Sequence, residues 1–444
     1  MKLTHRGLRR SAVLGALAVT LITSAVATAS GFSIFEAGSR ATAVGGAFVA
    51  RADDTSAMFY NPAGLAGIVK TEAMVGITLI APFSSLEGGN PYPGVGYKAD
   101  QKQMIFFPPN FYVATPLGKG FTLSFGTWFP FGLATAWKDQ DQFLGRWMSQ
   151  RVDIRQYAMS LQVAAQLFPW LKVGGGPELR VGDVKLNRNV PGFNPYTQKF
   201  VDVDHMDLTQ SGFSYDVGWT AGIQLKPTDG ISLGASYHSS VNQTYTGVGT
   251  FSQILTTYAD FNASVAADPR LPFGEQVNGN TAISFPAVTQ VGASFNLSKC
   301  VTLDLAGVYT QWNSFNSTII TFNPTASGKQ VPQTNITHNF ENAWSFRAGM
   351  SWLLPSEKVE LAAGYVYDQT GQPDSDTGPL LPDANRNGYS IGASFKIGKK
   401  SWIDFSNLFL FFNNRTVNGV QNENFYGTYK TFANLTVLNF RTSL

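Results

Sequence analysis

The chain of 444 residues has a single cysteine, Cys300, so no intramolecular disulfide can brace it. Charge is scarce as well: Asp, Glu, Lys and Arg make up 14% of the residues, against about 25% in an average soluble protein. His205, His238 and His338 lie far apart in the sequence, without the i, i+4 pairing of a helical metal site. No G-x-x-x-x-G-K-[ST] match occurs, which argues against nucleotide-driven transport. Beyond residue 30 no window offers the roughly 18 uninterrupted apolar residues of a spanning helix.

The first residues carry a basic start, an apolar stretch from Ala12 to about Ile22, and Ala27 and Ala29 at A-x-A spacing before Ser30. This pattern predicts an export leader over residues 1–29, too short in its apolar part to be an anchor. Lys2, Arg6, Arg9 and Arg10 leave with it and no acid does, which turns the formal charge of +3 into −1. No basic cluster then remains to track a phosphate backbone, and nucleic acid is not an expected partner.

What is abundant is glycine, 44 residues, and aromatics, with 34 Phe, 16 Tyr and 9 Trp, in a chain whose mean hydropathy is close to zero. In "SYDVGWTAGIQL" the positions Tyr215, Val217, Trp219, Ala221, Ile223 and Leu225 are apolar, and the alternate positions are small or polar. Strand geometry sends the two sets to opposite faces. The same alternation recurs in "QYAMSLQVAAQL", "GISLGASYHSS", "CVTLDLAGVYTQW", "NAWSFRAGMSW", "KVELAAGYVYD" and "GYSIGASFKI". Each segment is close to the roughly 9 to 11 residues that a tilted strand needs to cross a bilayer. Aromatics gather toward segment ends, among them Phe129, Trp219, Trp312, Trp344, Trp352 and Tyr365, as an interfacial belt requires. Tight connections such as "FPWLK" alternate with long ones expected over residues 186–210 and 243–283. The expected fold is all-β: a transmembrane antiparallel β-barrel of about fourteen strands, closed so that no edge faces lipid.

Residues 30–70, ahead of the barrel expected over 71–444, are rich in Ala and Gly and show no strand alternation. Within them "DDTSAMFYNPAGL" places Pro62 directly after Asn61. Proline has no amide hydrogen and drives the preceding residue out of helical angles, so a helix through Ala57 to Tyr60 must stop there. Gly45, Gly46 and Ala47 permit the close approach that a segment confined inside a barrel needs.

This segment resembles the N-terminal hatch of the FadL/TodX family of outer-membrane channels for long-chain fatty acids and other hydrophobic compounds. The resemblance rests on Gly31-Phe32, Glu36, Asp53-Asp54 and Asn61-Pro62-Ala63. It continues in "PPNFYVATPL", in "PFGLATAW" followed by Gly145-Arg146, and in "FPAVTQVGASF", "VYTQWNSF" and "YDQTGQPDSDTGPLLPDANRNGYSIGASF". It implies a fourteen-stranded barrel closed by a hatch plug in its lumen. It implies ligand capture at outer loops, transfer to an internal pocket, and sideways release through a gap beside the third strand. Glu36, Asp53, Asp54, Asn61, Pro62 and Ala63 would then shape and gate the hatch, and Gly31, Phe32 and Ile34 would touch the buried ligand.

Other candidates come from spacing and parity. Phe251, Ile254, Leu255, Tyr258 and Val265 fall at helical spacing, as an outer capture groove or as the buried face of a loop helix. Arg180 and Arg347 fall on strand faces with Glu178 and Ser345; if those faces are lumenal, either could hold a ligand carboxylate or pair with an acid across the lumen. "DANRNG", residues 383–388, opens like a calcium loop, but its twelfth position is Ser394 where a bidentate Glu is needed, so a polar outer loop is expected. His238 and Ser240 raise an outer-membrane phospholipase as a second class, with the difficulty that their face is expected to be lumenal.

The expected function is passive uptake of a hydrophobic molecule, a fatty acid or hydrocarbon, through an outer membrane. The alternative is a porin for small polar solutes. No cofactor, metal or catalytic residue is called for. The expected partners are the hydrophobic ligand and outer-membrane lipid, with the barrel acting as a monomer.

Overall fold

The structure, a computed structural model, describes residues 31–420 and 423–444. The leader read over residues 1–29 lies outside the described residues. Fourteen antiparallel strands close into a barrel. They are β1 Glu72–Gly88, β2 Pro109–Gly118, β3 Phe121–Ala136, β4 Arg151–Phe168 and β5 Leu171–Asn194. Five broken strands follow: β6 Lys199–Gln210 with Ser214–Thr228, β7 Ile231–His238 with Val241–Gln253, β8 Gln276–Phe285 with Val288–Asn296, β9 Val301–Thr310 with Ser317–Phe322, and β10 Thr334–Thr337 with Ala343–Leu353. β11 Val359–Asp368, β12 Arg386–Ile397, β13 Ser401–Phe412 and β14 Glu423–Ser443 complete the ring. β1 pairs with β14 along its whole length, from Glu72 opposite Ser443 to Gly88 opposite Gly427, which leaves that edge no free ladder.

Strand parity sorts the side chains as the alternation requires. Tyr215, Val217 and Trp219 are 75%, 63% and 51% exposed on the outer face. Gln162, Glu178, Thr220 and Gln224 of the same strand group are buried in the lumen. Outward aromatics pair between neighbouring strands, Phe129 with Tyr157 at 4.4 Å and Tyr309 with Trp344 at 5.0 Å, which gives the barrel its interfacial belt. One expectation about connections changes. Residues 186–194 and 199–210 are not a long loop: β5 and β6 run on as a paired ladder to a tight turn at 195–198, and β7 and β8 likewise extend over 243–253 and 276–283. Alternation in that upper part is blurred by buried apolar residues facing inward, such as Leu186, Met206 and Phe251, which is why it read as loop.

Residues 31–70 lie inside the ring. Their main chain comes so close to the wall that lumen-facing positions opposite it are glycine. A Cβ on Gly234 would sit 2.2 Å from the Val49 carbonyl oxygen, and one on Gly364 the same distance from the Gly45 amide. Gly174, Gly222 and Gly349 face Pro62, Asn61 and Val44 in the same way. Between these contacts, wall side chains partner the inner segment's carbonyls. Gln162 Nε2 donates to Met58 O at 3.0 Å, Gln224 Nε2 to Ala50 O at 2.7 Å, Ser236 Oγ to Tyr60 O at 2.7 Å and Ser390 Oγ to Ala43 O at 2.9 Å.

A valine at Gly364 or Gly234 suits the strand but not the segment packed on it. Gly364→Val and Gly234→Val are therefore expected to leave the barrel folded, as judged by heat-modifiable gel mobility, while unseating the plug. In planar bilayers the parent protein should be silent and the variants should conduct. Silent variants would show that the segment does not depend on these close approaches.

Candidate functional site

Pro130 interrupts the wall. Without an amide hydrogen it cannot continue the ladder, and the register of β3 against β4 shifts between Trp128 and Phe131. On its other edge β3 is paired with β2 only as far as Thr127, because β2 begins at Pro109. Residues 103–108 stay with β1 instead, through Ile80 and Phe106, and the chain rejoins β3 only where Lys102 N meets Ala136 O at 2.7 Å. Between these points the wall has a gap. The N-terminal residues fill it as a stand-in strand: Ile34 N donates to Pro130 O and Gly132 N to Phe32 O, both at 2.9 Å.

Behind the gap lies a cavity of about 630 Å³, lined by Phe32, Ile34, Glu36, Phe131 and Tyr157 among others. It touches an apolar pocket of about 90 Å³ higher in the barrel, walled by Leu186, Tyr245, Phe315 and Phe322, with Leu133 and Ile154 common to both. Phe32 stands near this junction inside an aromatic box, with ring centroids 6.0 Å from Phe131, 6.2 Å from Phe285, 5.0 Å from Trp312 and 5.2 Å from Phe315. Gly31 is required ahead of it: its φ is +73°, a Cβ would meet the Trp312 ring at 2.6 Å, and its amide donates to Asp383 Oδ2 at 2.7 Å.

A third cavity of about 30 Å³ adjoins the first at Ser33 and Phe131, and both arginines singled out by strand parity line it. Arg180 donates to Glu178 and, at 3.1 Å, to Gln156 Oε1, while its Nε has no hydrogen-bond partner. Arg347 lies 4.0 Å over the Phe35 ring and bonds Ser345 Oγ at 3.1 Å. Among the described residues no carboxylate is within 4.0 Å of it. Glu178 also meets His238 Nδ1 at 3.1 Å, so Arg180 and Glu178 offset one another, while Arg347 feels the more distant carboxylates of Asp368 and Glu36.

The remaining sequence candidates are placed elsewhere. Asp53 and Asp54 pair with Arg40 at 2.8 and 3.1 Å, and Arg40 reaches Glu360 of β11 at 3.2 Å, which fastens the far end of the segment to the wall. Asn61 is extended at φ −164°; its Oδ1 accepts from Ala63 N at 3.1 Å and its Nδ2 donates to Val49 O and to Ile223 O of β6. Pro62 then opens a short 3-10 helix, Pro62–Gly67, where its missing amide costs nothing.

Phe251, Ile254, Leu255 and Tyr258 do not share a helix face, which corrects the expectation of helical spacing. Phe251 points inward from β7 onto Phe322, and the loop helix spans only Ala259–Ala266, with Phe261 as its buried residue. Leu255 is exposed and Tyr258 stacks on Tyr196 at 4.9 Å. Asp383 of "DANRNG" is spent on Gly31 and Thr370, and Arg386 starts β12 paired with Asp368. His238 holds Glu178 with one ring nitrogen and Phe59 O with the other at 2.8 Å, so neither is left to activate Ser240. Sequence reasoning missed Leu133, Phe131, Phe285 and Phe315; only the proline inside "FPFG" signalled a broken strand there.

Residues 19–444 match the model of the outer membrane protein transport protein family (OMPP1/FadL/TodX). The chain belongs to this family. It is 22% identical over 417 residues to the long-chain fatty acid transport protein of Escherichia coli O157:H7, covering 88% of this chain and 89% of that one. It is 22% identical over 370 residues to outer membrane protein P1 of Haemophilus influenzae, covering 78% and 73%. The fold is that of a Pseudomonas aeruginosa FadL homologue, with a TM-score of 0.79 over 93% of this chain and 100% of that one at 17% identity. The toluene transporter TodX of P. putida gives 0.71 over 92% and 98% at 14% identity. As a member of this family the protein is placed in the outer membrane.

Glu36, on the hatch beside the large cavity, is almost fully buried. Burial raises its carboxyl to about 7, although Arg386 and Arg347 pull the other way. A raised value means that the neutral form fits the seat: its contribution is complete below the ordinary value of 4.5 and is lost as pH rises through 7. Hydrogen exchange at the amides of residues 32–36 should therefore quicken between about pH 5 and 8 beyond the intrinsic rate, and Glu36→Gln should flatten that excess. An equal excess in both proteins would remove Glu36 from the gate.

Proposed function

We propose that the protein takes up hydrophobic molecules across the outer membrane by passive partitioning, holding them in the joined cavities and releasing them sideways through the gap between β2 and β3. The observation that carries this reading is that the break at Pro130 opens directly onto the 630 Å³ cavity and is bridged by residues 32–34 through two main-chain hydrogen bonds. Burial is worth about 0.8 kcal/mol per methylene, so a tail of a dozen carbons gains on the order of 10 kcal/mol on leaving water. Such a tail gains nothing from a watery exit. A side exit hands it from one apolar surroundings to another.

The ligand class that fits is an amphipathic acid. Arg347, buried with no carboxylate in ion-pair contact and lining the same small cavity as Arg180, whose Nε is free, suits a ligand carboxylate there, with the tail in the larger cavity. The relatives named for long-chain fatty acids and for toluene span both acids and neutral hydrocarbons, and Arg347 favours the acid. The barrel works as a monomer in this reading, since one chain closes the ring and contains every cavity.

Uptake of radiolabelled dodecanoate and 1-dodecanol by cells lacking their own fatty-acid importer tests the assignment, with empty-vector uptake subtracted. Arg347→Gln removes a charge-assisted hydrogen bond worth about 1.5–3 kcal/mol, and the dodecanoate-to-dodecanol ratio should fall roughly tenfold. A ratio that does not move would place the carboxylate elsewhere. Uptake of neither compound by the parent protein would sink the proposed function.

A further inference from the structure

The outer rim of the gap carries a cation that the barrel holds by one long ion pair. Arg155 projects from β4 on the lipid-facing parity of Tyr157, Met159 and Leu161, yet its side chain is 46% exposed and lines the large cavity. Its register partner on β3 is Gly132, where the place of a side chain is taken by the Cδ1 of Ile34 from the hatch. Its nearest acid is Asp153 at 3.9 Å, and that carboxylate is already held by Arg151 at 2.6 Å. Asp183, directly opposite on β5, makes no ion pair with it within 4.0 Å.

Depth gives the residue its meaning. Tyr157, two positions along the strand, pairs with Phe129 in the aromatic belt, and Met159, Leu161 and Val163 continue the apolar band below. Arg155 therefore stands one step beyond that belt, toward the outer end of β4, at the level of lipid headgroups. Across the gap Ile105 and Phe107 are exposed at the level of the opening, and the exposed Lys102 stands above them where the chain rejoins β3. A ligand leaving sideways lays its tail along the apolar band, and its ionised head stays at the interface because carrying it through hydrocarbon is costly. We propose that Arg155 is the exit subsite for that head: its guanidinium takes the carboxylate of an amphipathic ligand as the tail passes between Tyr157 and Phe107 into the outer leaflet. This rests on the lateral route proposed above. The planar fork supplies paired hydrogen bonds that a lysine cannot reproduce in full.

Two measurements test it. The first is the same dodecanoate-to-dodecanol uptake ratio, in Arg155→Gln and Arg155→Lys. The second is photolabelling of the purified barrel by dodecanoate carrying a diazirine next to its carboxylate, in maltoside micelles that contain no phosphate. The ratio should fall about fivefold in Arg155→Gln and less in Arg155→Lys. Label should reach Tyr157 in the parent protein and be lost from it in Arg155→Gln. Equal loss of both uptakes would mean a purely structural role. An unchanged ratio with label retained would remove Arg155 from the path. Label at Tyr157 that needs added lipid A would mean that the site belongs to a lipid phosphate; each of these overturns the proposal. Intact dodecanoate uptake with no label anywhere along the gap would instead sink the lateral route on which it rests.

Discussion

An irregular main chain can be kept inside a lipid-embedded ring only if its amides and carbonyls find partners there, and everything else in this protein follows from how they are found. The partners are side chains of the wall. Gln162, Gln224, Ser236, His238 and Ser390 project inward from four strands and meet carbonyls between Ala43 and Tyr60. Each such bond nets only about 1 kcal/mol, whereas an unmet buried carbonyl costs about 1–3 kcal/mol. The inward polar residues are thus the hatch's seat. They are not the lining of a water-filled pore, and the glycines between them let the two backbones come close enough to be bonded.

The same requirement explains how a hole can exist in the wall. A sheet interrupted at Pro130 exposes unpaired groups of β3, which is costly at membrane depth. Residues 32–34 satisfy them by lying along the strand edge, so gap and gate are made by the same two hydrogen bonds. In the proposed route, release of residues 32–34 would leave those groups to the ligand's polar head or to water near the interface. A closure held by two bonds and one aromatic box is weak enough to yield to a ligand whose burial is worth several times as much.

The barrel was legible in the sequence because strand parity is local: alternation through Tyr215 to Leu225 needs no knowledge of the neighbouring strand. The same locality put Arg180 and Arg347 on the lumenal faces of β5 and β10, and the break after Asn61 was readable from proline chemistry alone. What was not legible depends on meeting at a distance. The box around Phe32 draws on β3, β8 and the break in β9, and no spacing relates Phe131, Phe285 and Trp312. The helical spacing of Phe251, Ile254, Leu255 and Tyr258 misled because two turns' worth of apolar residues also fits a strand end running into a loop. "DANRNG" matched a cation loop in its first half only, and its Asp383 has a different task in anchoring Gly31.

Charge decides which part of the hatch is free to move. At its far end Arg40 and Arg51 reach Asp53, Asp54, Glu360 and Asp304, a network between hatch and wall in which removing one member would strand a buried partner. Asn61 adds a clamp to β6. The N-terminal end has no comparable network: Phe32 is held by ring contacts, Gly31 by one bond to Asp383, and the charge within residues 31–36, Glu36, is most stable when neutral. The ion pairs thus fasten residues 40–54 to the wall, whereas residues 31–36, where the cavity, the gap and the buried arginines converge, are held without them. The proposed sideways route would need only that end to yield, and the barrel could stay sealed along its axis.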